Sequence, residues 1–180
     1  SMSKPFVAQA DFLSDWKENG DGVFDAEMRT QLENVFSRMA NRLVLNLSLD
    51  EREVSKELHA FIKNLVTMTD KLDVKVIKNH QEQYTPCVKL YREDASYTGL
   101  AFHGIPGGHE FTSFVLGLYN AAGPGQLIDE GTMKRVEALK HPIDIMILVT
   151  LSCSMCPDLV IAAQHLAAIS DKITTEIYDL

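Results

Sequence analysis

The chain has 180 residues, 46% of them apolar, and a formal charge of −8, so it is long and apolar enough to bury one medium core or two small ones. That acidic balance gives no basic face for nucleic acid, and no apolar stretch reaches the length of a membrane-spanning helix. Three cysteines, two of them in one C-x-x-C, do not make a secreted disulfide framework and fit a reducing, cytoplasmic compartment.

The opening segment, residues 1–26, is polar and turn-rich around Asn19-Gly20-Asp21-Gly22 and lacks the apolar core of a secretory signal. Ser1-Met2-Ser3 resembles a remnant of tag cleavage. A calcium loop fails on spacing, since Lys17 or Val23 would fall on ligand positions. The pattern then predicts a helix over 27–39, a strand over 43–49 and a helix over 55–68. Strands follow at 74–77, 87–91 and 98–103, and a helix at 110–120. Thr85-Pro86 breaks the chain before the strand at Cys87, and Ala121-Ala122-Gly123-Pro124-Gly125 reads as a linker.

After that linker the pattern restarts, with a helix over 128–139, a strand over 143–151, a helix over 158–169 and a strand over 173–177. Asp70-Lys71 precedes one strand and Asp171-Lys172 the matching one, so the chain is a duplicated α/β unit: an extension (1–26), a first unit (27–122) and a shorter second unit (126–180). Superposing the copies sets Cys153 opposite Asp50 and Cys156 opposite Glu53. The first copy keeps the scaffold without the thiols. The second has too few elements to cover a sheet, so either residues follow downstream or the first copy covers its edge.

Cys153-Ser154-Met155-Cys156-Pro157 lies between an apolar strand and an amphipathic helix. A helix N-terminus offers unpaired N–H groups and a partial positive charge, and both favour a thiolate. Cys153, at the start of the helix, is the expected attacking thiol; Cys156, one turn inside, is the resolving one. Pro157 suits the first helical position, which needs no N–H partner. Structural zinc on the dithiol would require a second ligand pair, but only Cys87 remains and no His-x-x-x-His occurs. Ser154 and Met155 carry no charge between the thiols, which points to a reducing rather than strongly oxidising pair.

The segment Gly107-Gly108-His109-Glu110-Phe111-Thr112-Ser113-Phe114, with Leu151-Ser152-Cys153-Ser154-Met155-Cys156-Pro157-Asp158, resembles the N-terminal domain of the flavoprotein subunit of alkyl hydroperoxide reductase. The resemblance runs from about Ala26 onward and implies an α/β fold of tandem thioredoxin-like units, related to the protein disulfide oxidoreductases. It departs from the family in residues 1–26 and in stopping before the second unit's cis-proline loop. No Gly-rich flavin or nicotinamide fingerprint is present.

The resemblance implies a redox-active Cys153–Cys156 disulfide and no bound cofactor, with FAD and NAD(P)H confined to a separate reductase module. Electrons would come from that flavoprotein module and go to a peroxiredoxin; a homodimer is compatible with this. Competing readings are a general protein disulfide oxidoreductase and a docking module. Glu110 admits two roles, a favourable carboxylate at a helix start or a proton shuttle facing the dithiol, the position the family's glutamate takes. Pro86 stands where such folds carry a structural cis-proline. Cys87 reads as a small buried hydrophobe, His103, His109 and His165 as packing or capping residues, and Asp50 and Glu53 as helix N-terminal carboxylates.

Overall fold

The computed structural model describes residues 24–150, 152–153 and 156–180; the N-terminal turn, the excluded calcium loop and the Ser1-Met2-Ser3 remnant lie outside them. The helices are α1 (Ala26–Ser37), α2 (Glu53–Val66), α3 (Phe111–Ala122), α4 (Glu130–Glu137) and α5 (Cys156–Ile169). The strands are β1 (Leu43–Ser48), β2 (Leu72–Val76), β3 (Cys87–Arg92), β4 (Tyr97–His103), β5 (Ile143–Val149) and β6 (Ile173–Asp179), with a 3-10 turn at Gly108–Glu110 before α3.

The two halves repeat their local chemistry. Asp25 caps α1 by accepting from the Met28 N–H at 2.8 Å, and Asp129 caps α4 by accepting from the Thr132 N–H at 2.8 Å. The Leu43 N–H donates to the Lys71 carbonyl at 2.9 Å, and the Ile143 N–H to that of Lys172 at 2.8 Å, so both Asp-Lys turns do one job. α2 buries Leu58, Phe61, Ile62 and Leu65, one stripe at helical spacing, while β1 buries Leu43, Leu45 and Leu47 at a period of two.

The six strands form one sheet in the order β2-β1-β3-β4-β6-β5. β1 runs parallel to β2, β3 antiparallel to β1 and β4, and β6 parallel to both β4 and β5. The sheet therefore passes from one repeat into the other through β4 and β6. α3 and α5 pack on each other over Leu90, Leu100 and Phe102, and apolar residues of both repeats form a single core. Gly117 lets the helices close, because a Cβ there would lie 2.5 Å from the buried Gln164 Oε1. The first repeat thus covers β6 but not β5. β5 stays at the sheet edge with Met146 and Leu148 65% and 58% exposed, although its apolar run reads as a fully buried strand.

Candidate functional site

β5 delivers the chain to Thr150, whose carbonyl accepts the Cys153 N–H at 2.9 Å and shapes the turn into α5. The sequence pattern puts Cys153 at the helix start. The structure instead begins α5 at Cys156, with Cys153 in the preceding turn and Pro157 in the first helical turn, where its missing N–H leaves no bond unmade. Cys153 and Cys156 are both half-buried and Cys87 is buried, and none of the three is in a disulfide. The Cys156 thiol is raised above its ordinary value, first by the hydrogen bond it donates to Cys153, then by burial and the charge on Cys153. Cys156 therefore holds its proton more firmly than an ordinary thiol.

Glu110 ends the 3-10 turn that packs against α5. Its side chain makes no capping bond to α3, has no exposed surface, and neither carboxylate oxygen has a hydrogen-bond partner among the described residues. Burial therefore raises its pKa. The Asp179 charge adds to the rise, while the Ser113 hydroxyl offsets part of it without reaching hydrogen-bonding geometry. The Glu110 charge in turn contributes to the raised Cys156 thiol, so the carboxyl and the dithiol sense each other.

Asp179, at the end of β6, escaped sequence reasoning. Burial raises its pKa as well, and the in-register pair Val149↔Asp179 sets it beside the end of the strand that leads to the cysteines. The available signal was the alternating run Ile173-Thr174-Thr175-Glu176-Ile177-Tyr178-Asp179, which carries an acid to the same sheet end as the dithiol.

The corresponding place in the first repeat is occupied differently. Thr85–Pro86 is cis, directly before β3. Asp50 accepts from the Thr85 hydroxyl at 2.7 Å, the Ser55 hydroxyl at 2.8 Å, and the Arg52 backbone N–H and Nε–H at 3.0 and 2.8 Å. These bonds, the Thr85 hydroxyl's first, hold its carboxyl far below the usual aspartate range. Arg52 also donates to the Thr85 carbonyl, tying the cis-proline loop to the start of α2. A groove of about 660 Å³ runs from Arg52, Thr85 and Pro86 past His103 to Met146 and Leu148 on β5.

Comparison with solved structures decides the family. The N-terminal domain of the alkyl hydroperoxide reductase AhpF from Enterococcus faecalis aligns over 87% of this chain and 80% of its own, with a TM-score of 0.81 and 32% identity. The chain belongs to this family of N-terminal domains. The corresponding alkyl hydroperoxide reductase protein of Pseudomonas aeruginosa is 32% identical over 151 residues, 84% of this chain, but the match spans only 28% of that relative's length. A protein disulfide oxidoreductase from Aeropyrum pernix, at 18% identity and a TM-score of 0.72 over 87% of this chain, shares the thioredoxin-like fold. No family model matches the chain.

Proposed function

We propose that the chain is a thiol–disulfide electron relay of an alkyl hydroperoxide reductase system, taking electrons from a flavin-dependent reductase module and passing them to a peroxiredoxin disulfide. The observation that carries this reading is the Cys156 thiol donating to Cys153 beside the buried, unpartnered Glu110. In the forward direction the Cys153 thiolate attacks one sulfur of the partner's disulfide. A mixed disulfide forms and the partner's other sulfur leaves as thiolate. Cys156 then gives up its proton and attacks the Cys153 sulfur; the Cys153–Cys156 disulfide forms and the partner's second sulfur departs. Two electrons and the Cys156 proton pass to the partner, whose second thiol takes its proton from solvent. Glu110, in its ionised form, accepts the Cys156 proton, for which burial raises its affinity, and passes it to the departing thiolate.

Re-reduction by the reductase module reverses these steps, and FAD and NAD(P)H belong to that module, not to this chain. Among the described residues no helix is long and apolar enough to cross a membrane. On this reading the chain works in the reducing cytoplasm. Cys156→Ala removes the resolving thiol, so mixed disulfides through Cys153 should accumulate and mass spectrometry should find a peroxiredoxin in them. A set of many unrelated proteins without a peroxiredoxin would leave a general disulfide oxidoreductase instead.

A further inference from the structure

A polar cluster lies on strands β3, β4 and β6 and the loop before β3. Antiparallel register sets Cys87 opposite His103, and the parallel register of β4 and β6 pairs His103 with Tyr178 and brings Glu176 alongside. One donor atom each from Glu82, Cys87 and His103 lies within 4.8 Å of the others. The Cys87 Sγ is 3.8 Å from the His103 Nε2, and the Glu176 Oε1 is 3.1 Å from that same nitrogen. We infer that Glu82, Cys87 and His103 form a site for a divalent transition-metal ion of the zinc type, with the Glu176 carboxylate of the second repeat at its edge.

The spacings match. With metal–sulfur and metal–nitrogen bonds of about 2.3 and 2.1 Å, tetrahedral ligation sets sulfur and nitrogen about 3.6 Å apart, and nitrogen and oxygen about 3.4 Å apart. The histidine is prepared for the task. Its Nδ1–H donates to the Tyr84 carbonyl at 2.7 Å, which turns Nε2 toward the cluster, the arrangement that orients metal-bound imidazoles. Tyr178 stacks flat on the ring at 4.1 Å between centroids and 4° between planes. Glu82 is fixed through its backbone N–H, which donates to the His80 Nδ1 at 3.2 Å.

Charge also balances. Lys89 Nζ lies 2.5 Å from the Glu82 carboxylate. A dication plus this ammonium offsets two carboxylates and one thiolate. Metal uptake displaces the Cys87 thiol proton to solvent: one thiol S–H is lost, one metal–sulfur bond forms, and uptake weakens as pH falls. The groove lined by Tyr84, His103 and Tyr178 supplies the entry path. A mixed Cys, His and carboxylate set suits zinc and its cobalt surrogate better than calcium or magnesium, which prefer oxygen throughout.

The test uses the full chain with Cys153→Ser and Cys156→Ser, so that the dithiol cannot bind metal and failure of the relay reading leaves the result untouched. Titration with cobalt(II) should give a thiolate charge-transfer band that saturates at one ion per chain and is displaced by zinc(II). Adding Cys87→Ser should abolish the band. Glu176→Gln, at a half-exposed carboxylate that the fold tolerates, should weaken binding by at least about tenfold. Absence of the band in the cooperatively folded, dithiol-free chain would overturn the inference, as would a band that survives Cys87→Ser.

Discussion

Glu110→Gln isolates the charge that the dithiol senses, and its signature is in the pH dependence of stability. The Glu110 carboxyl is fully buried with no partner among the described residues, and burial lifts it above its ordinary value of 4.5. Below that value both folded and unfolded chains carry the proton, so ionisation of this residue does not affect stability. Above it the unfolded chain releases the proton first, and stability falls as pH rises until the folded carboxyl ionises too.

The slope within that window is about 1.4 kcal/mol per pH unit, or about 3–6 °C in Tm for a domain of this size. Glutamine does not titrate; burying its amide adds only a constant offset. Thermal unfolding of the oxidised protein, in which neither Cys153 nor Cys156 titrates, should therefore show the parent losing Tm against Glu110→Gln from about pH 5 upward. The gap should level off once the pH passes the folded value. Parallel curves over the whole range would show that the carboxyl is solvated or paired, and the proton-shuttle argument would fail with it.

Asp50→Asn should act with the opposite sign. The Asp50 carboxyl is held below the ordinary 3.8, so its contribution is present above that pH and is lost as the pH falls; the variant's acid-side decline in Tm should be shallower than the parent's. Gly99→Ala should destabilise by about 2–4 kcal/mol in denaturant unfolding, because φ is +88° and the added Cβ would meet the Ile173 carbonyl oxygen at 2.7 Å, where β4 and β6 join the repeats. Phe111→Ala should cost about 3–5 kcal/mol by the same assay. It empties a fully buried ring that lies 5.4 Å from Phe24 and 6.0 Å from Phe61 between centroids.

Much of this fold was legible because periodicity and capping are local. The stripe Leu58, Phe61, Ile62 and Leu65 and the alternation Leu43, Leu45, Leu47 announce their elements without tertiary information. Helix starts were less legible. α2 begins at Glu53, in keeping with its reading as a helix N-terminal carboxylate, but Arg52 ahead of it makes no side-chain cap bond and the apolar stripe alone starts the helix two residues late. α5 begins at Cys156, not at Cys153, because the turn held by Thr150 comes first.

Long-range pairing was invisible. Nothing local tells β4 to lie beside β6. Consequently the meeting of Cys87 and His103 with Glu176 could not be read from the chain, where each looks like an isolated buried residue. Glu110 was singled out by its place beside a helix; that its carboxyl has no hydrogen-bond partner among the described residues emerges only once the 3-10 turn packs against α5.

The hydrogen-bonded Asp50 has a consequence for how the two halves present themselves to other molecules. α2 and α5 begin at equivalent places, so Asp50 and Cys153 both stand three residues ahead of their helices. One is a carboxylate held ionised by its hydrogen bonds; the other, on the proposed relay reading, is a sulfur that is a thiolate when reduced and part of a disulfide when oxidised. The domain therefore shows a constant negative pole and a switchable one. A protein that docks by reading both would find two anions on the reduced form and a single anion on the oxidised form, and could distinguish loaded from spent carrier by charge alone.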